Sequence, residues 1–75
     1  MSINKEPGSE RLIALLKHGV EHNMDHQEEI KNWAKQADDL GASEAKRLLV
    51  QAAEDLEDAT TNIEEALEKL ENREE

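Results

Sequence analysis

Two long stretches of good helix formers are separated by one strong break, Leu40-Gly41-Ala42-Ser43. Apolar residues on both sides of it recur at steps of three and four. That is the repeat of a helix burying one stripe against another helix, and it differs from the alternation of a strand. In the first stretch the series is Ile13, Leu16, Val20, Asn23, Gln27, Ile30, Ala34, Ala37; in the second it is Ala45, Leu49, Ala52, Leu56, Ala59, Ile63, Ala66, Leu70. Gly41 suits the left-handed position just past a helix, and Ser43 is a residue type that caps a following one. Pro7-Gly8 closes a polar N-terminal segment, after which Ser9 can cap the first helix.

The expected fold is all-α, an antiparallel two-helix hairpin with a heptad-patterned seam. Helix 1 covers about 9–40 and helix 2 about 43–72, after a disordered tail over 1–8 and before a frayed end at 73–75. Thr60-Thr61-Asn62 is the one place where helix 2 risks a break, since Thr61 and Glu64 imitate a capping box, but the heptad phase runs through it. A fold at Gly41 sets opposite each other residues whose numbers sum to about 82 or 83, so Ile30 faces Ala52 and Leu49 faces Ala34.

Such a hairpin uses one apolar stripe per helix, yet helix 1 carries a second. Leu12, Leu15, Gly19, His22, His26, Glu29, Trp33 and Leu40 also follow three-and-four spacing, and Leu48 and Leu67 extend the apolar surface on helix 2. A chain of 75 residues buries a low fraction of its surface when folded alone. A second copy is therefore expected, two hairpins forming a four-helix bundle through Leu12, Leu15, Gly19, His26, Trp33, Leu40 and Leu48. Helix 1 crossing its own copy antiparallel about His26 sets Leu12 against Leu40 and Trp33, the single aromatic residue, over Gly19. The alternative is that Trp33 covers Leu48 within one hairpin, and a parallel crossing is also open.

All three histidines lie in the stretch His18-Gly-Val-Glu-His22-Asn-Met-Asp-His26. Neighbours four apart sit one turn apart on one side of a helix, which lets two imidazoles chelate one ion. His22 and His26 lie on the second stripe with Glu29 three residues on, making one row of nitrogen and carboxylate ligands for a divalent transition metal (Zn, Ni, Co or Fe). Asp55 is a further oxygen donor. The Glu-x-x-His pair of di-iron bundles is absent, because Asn23 stands where its Glu would be. The plainer alternative is a solvated or interfacial histidine face, or a pH-responsive one if the cluster is buried. Asn23 and Gln27, inside the first seam, are expected to fix helix register, with the Asn23 amide in reach of Thr60.

Nineteen acids against nine Lys and Arg give a net charge of −10, which argues against nucleic acid as a partner. Residues 43–75 hold eleven of the acids and four of the bases, as befits the solvated outside of a bundle. No cysteine is present, no apolar run spans a bilayer, and Met1–Ser9 has no apolar signal core, so no membrane association and a cytoplasmic location are expected. There is no cysteine nucleophile, Gly-rich phosphate loop or supported Ser-His-Asp set, and catalysis is not expected. Two functions remain: a structural or interaction module that is a homodimer and docks a protein partner, or a small metal-binding carrier or sensor.

The segment Glu21-His22-Asn23-Met24-Asp25-His26-Gln27-Glu28-Glu29, with Trp33-Ala34 and the Leu40-Gly41 turn, resembles a group of short helical-hairpin proteins of unassigned function from archaea and anaerobic bacteria. The resemblance spans about Leu12 to Leu70. It implies that His22, Asn23, His26, Glu29 and Trp33 belong together, and it implies no activity.

Overall fold

The computed structural model describes residues 7–73, which form two helices, α1 (Pro7–Asp39) and α2 (Ser43–Glu71), packed side by side as a hairpin. Between Cα atoms the rod measures 61 × 14 × 12 Å. Among the described residues no helix is long and apolar enough to cross a membrane.

Gly41 makes the turn. Its φ is 76°, the left-handed conformation that costs a side-chain-bearing residue about 1–2 kcal/mol. Reversal there lets the Gly41 N–H donate to the Asp38 carbonyl (3.0 Å) and the Ala42 N–H to the Ala37 carbonyl (2.9 Å), so the last carbonyls of α1 are satisfied as the chain turns. Ser43 does not cap α2, contrary to its residue type. Ala42 holds that position without a side-chain hydrogen bond, and Ser43 is the first helical residue, its N–H donating to the Gly41 carbonyl at 3.1 Å. The closure at Gly41 is so tight that α2 starts directly from the turn backbone.

The N-terminal boundary also differs from the expectation. α1 begins at Pro7, so Pro7 and Gly8 belong to the helix and Ser9 lies half-buried inside its first turn. Proline's fixed φ and missing N–H suit the first helical position, which removes the need for Ser9 as a cap. Residues 1–6 and 74–75, the rest of the expected tail and fray, lie outside the described residues. Leu40, expected as the end of helix 1, sits in the turn at 84% exposure. α2 runs unbroken through Thr60-Thr61-Asn62.

The α1 side of the seam is the predicted one: Ile13, Leu16, Val20, Asn23, Gln27 and Ile30 are half-buried, and Ala34 and Ala37 are buried. The α2 side is corrected at every second position. Leu49, Leu56, Ile63 and Leu70 turn inward as expected, but between them stand Lys46, Ala53, Thr60 and Leu67, while Ala45, Ala52, Ala59 and Ala66 are exposed. The Leu49-Leu56-Ile63-Leu70 row has a neighbouring row on each flank, and either one satisfies three-and-four spacing. The row that packs contains Leu67, larger than any alanine, and Lys46, whose ammonium reaches Asp38 (3.5 Å). Thr60 tolerates burial because its hydroxyl donates to the Leu56 carbonyl of its own helix at 2.8 Å. The Asn23 amide, expected within reach of Thr60, makes no hydrogen bond to it or to another partner among the described residues.

Across the seam Gln27 Nε2 donates to Glu57 Oε1 (3.5 Å), and Lys17 pairs with Glu71 (3.3 Å). Gln27–Glu57 and Asp38–Lys46 each total 84 in residue number, slightly beyond the expected register, and Lys17–Glu71 totals 88. These exposed pairs orient the helices and add little energy, each about 0–1 kcal/mol.

Gly41 and Gly8 give a matched test of the turn. Nothing lies within 4 Å of a Cβ at either position, but only Gly41 has positive φ. Gly41→Ala should lower the urea unfolding free energy by about 1 kcal/mol or more, whereas Gly8→Ala should leave it equal or raise it by up to about 1 kcal/mol.

Candidate functional site

The two broad sides of the hairpin differ in chemistry. With about 3.6 residues per turn, the helical phase puts Lys17, Asp38, Lys46, Glu57 and Glu71 on one side, so the cross-helix polar contacts gather there. The exposed Met24 and Val50 on that side stand singly among charged neighbours such as Lys31 and Glu28. On the opposite side the second stripe of α1 runs beside the displaced alanine row of α2. Leu12, Leu15, Gly19, His22, His26 and Trp33 lie next to Ala45, Leu48, Ala52, Ala59 and Ala66. Among the described residues, no ion pair joins the helices across this side.

Every residue expected at an interface on this side is solvent-accessible in the single hairpin. Leu15 is 60% exposed, Trp33 47% and Leu48 55%; Leu12 and His26 are exposed as well, and Gly19 is half-buried. Trp33 and Leu48, paired within one hairpin in the alternative reading, both remain about half in water. The space beside Gly19 is open, with no atom within 4 Å of where its Cβ would stand. Leu67, expected to extend the outer surface, is instead part of the seam. The alanine row takes its place outside, which single-helix periodicity did not distinguish. The available signal was volume: one flank of the Leu49 row is all alanine, whereas the other holds Leu67.

The histidines line the middle of this side. The His22 and His26 rings sit edge to face with centroids 4.5 Å apart, while His18 and His22 stack at 6.3 Å. Glu29 Oε1 approaches His26 Nδ1 at 3.3 Å, and both side chains are about half exposed or more. So the structure brings His22, His26 and Glu29 together in one row, as their spacing predicts. Asp55 does not join them: its Oδ1 accepts from Gln51 Nε2 of its own helix at 3.0 Å. Among the described residues of one chain, no three His, Asp or Glu side chains are grouped so as to hold a metal ion. The reason is geometric: a single surface row offers ligands from one direction only, whereas a tetrahedral site closes over the ion from at least two.

What this arrangement offers chemically is a long, weakly charged apolar strip with two adjacent imidazoles and a carboxylate at its centre.

No curated protein and no solved structure matches the chain. A family described as a domain of unknown function (DUF8180) matches residues 12–70, from Leu12 at the start of the exposed stripe to Leu70 at the end of the seam. The chain belongs to that family.

Proposed function

We propose that the protein is a non-catalytic structural or interaction module that works as a homodimer, two hairpins joined through their apolar sides into a four-helix bundle. The observation that carries this reading is the hairpin's lack of a core. The apolar side chains buried among the described residues are Ala34, Ala37 and Ala53, Thr60 is the buried polar one, and no large side chain is fully buried. Meanwhile Leu12, Leu15, Trp33 and Leu48 stand in water along one side. A contiguous exposed apolar strip of this kind marks an interface.

Three features favour a second copy as the occupant. The strip is self-complementary about His26 in an antiparallel crossing, with Leu12 against Leu40 and the bulky Trp33 over the open space at Gly19. Its charge is low in a chain of net −10, so two strips meet without the repulsion that the opposite, charged sides would suffer. Finally, a side of a rod 61 Å long and 14 Å wide is comparable with the ~800 Å² per partner that a stable interface covers. The charged sides then face outward and remain available to further protein partners.

Light scattering on the purified protein should give twice the 8.5 kDa chain mass at micromolar concentration; a monomer at millimolar concentration would refute the reading. Leu15→Glu with Leu48→Glu should return the mass to one chain. Gly19→Leu is sharper. In a lone hairpin it would fill open space and raise helix stability by about 0.8–1 kcal/mol. In the dimer it should block Trp33 of the second copy and lower both mass and stability.

A further inference from the structure

We propose that His22 and His26 chelate a divalent transition-metal ion, and that Glu29 of a second copy completes the site. This rests on the homodimer reading.

Side chains four apart on a helix project in nearly the same direction, so one ion can bridge two imidazoles. His22 and His26 stand one turn apart with ring centroids 4.5 Å apart, closer than the 6.3 Å of His18 and His22; they pack edge to face, so side-chain rotation is what brings one nitrogen of each onto an ion. An ion held between them lies level with residue 24 along α1. In the antiparallel crossing about His26, the residue opposite that level falls at about 28 of the second copy, next to its Glu29. In the single hairpin Glu29 rests against His26 Nδ1 at 3.3 Å, its carboxylate 60% exposed, so it is within turning distance of a neighbouring helix. The two-fold axis repeats the arrangement, giving one ion per chain. This accounts for the two facts the single chain presents together: two imidazoles in contact one turn apart, and no third ligand grouped with them. Two nitrogens and one carboxylate suit Zn²⁺, Ni²⁺ or Co²⁺, with water filling the remaining position.

The test is calorimetric titration of the full chain with ZnCl₂, NiCl₂ and CoCl₂, with sedimentation equilibrium of the same samples. The expected result is one ion per chain at micromolar or tighter affinity for at least one metal. His22→Ala, His26→Ala and Glu29→Gln should each weaken binding by about tenfold or more, and His18→Ala should leave it unchanged. In Gly19→Leu, which blocks the dimer while keeping all three ligands, affinity should fall by about tenfold; far-UV circular dichroism checks that the variant is helical. A dimer that binds none of the three metals, or whose binding ignores His22→Ala or His26→Ala, overturns the site and leaves the dimer reading intact. A monomer that binds metal through His22 and His26 overturns both the shared site and the dimer reading. Equal losses from His18→Ala and His26→Ala would also refute the assignment, because they would describe binding by any exposed histidines.

Discussion

Two helices in contact touch along a single line, and that line limits everything else in this molecule. At its centre the seam closes over Ala34, Ala37, Ala53 and Thr60, which are small enough for the backbones to approach and exclude water. The larger residues of the same rows, Leu16, Ile30, Leu49, Leu56, Ile63 and Leu67, reach past the contact line and stay half-buried, because one helix alone packs against each. Burying apolar area contributes about 25 cal/mol per Å², and a hairpin forgoes much of what these side chains could supply. A second pair of helices along the apolar side would cover the half-open flank and the exposed stripe together, which links the small seam, the open Gly19 and the exposed Trp33 by one cause.

The asymmetry between the two sides follows from the same geometry. A side chain just off the contact line can bridge to the other helix only if it is long, and the bridging pairs Lys17–Glu71 and Asp38–Lys46, with Gln27–Glu57, use such side chains on one side. On the other side the corresponding positions hold alanines on α2 and, on α1, the Leu12–Trp33 stripe, whose polar members His22, His26 and Glu29 include a pair made within α1 itself, His26 with Glu29. One side thus carries the polar bridges and the other the exposed apolar side chains, with the imidazoles among them.

Much of this was legible from the residues. The turn follows from one glycine, because only a residue without a Cβ takes φ of 76° without strain, and of the two α1 stripes the Ile13-to-Ala37 one packs, while the one carrying Gly19, His22, His26 and Glu29 stays outside. The α2 seam was ambiguous, since Ala52 and Ala53, or Ala59 and Thr60, are equivalent to a rule that reads spacing alone. Side-chain volume at Leu67 and the self-satisfied hydroxyl of Thr60 decided it. Neither Ser9 nor Ser43 caps its helix, for a different reason: both serines are good caps, but proline geometry at Pro7 starts α1 two residues earlier, and the backbone closure at Gly41 starts α2 at Ser43 without a side chain. For the site, the row His22-His26-Glu29 follows from spacing, whereas the outward turn of Asp55 depends on a neighbour, Gln51, that no ligand pattern includes.

In the proposed dimer the hairpin's missing core is supplied by another copy, so folding and association are one process. Urea unfolding followed by circular dichroism over a hundredfold range of protein concentration tests it most directly. The midpoint should rise steadily with concentration, since mass action favours the associated folded state. A midpoint independent of concentration, in a protein that unfolds cooperatively, would show that one hairpin is stable by itself and would contradict the account.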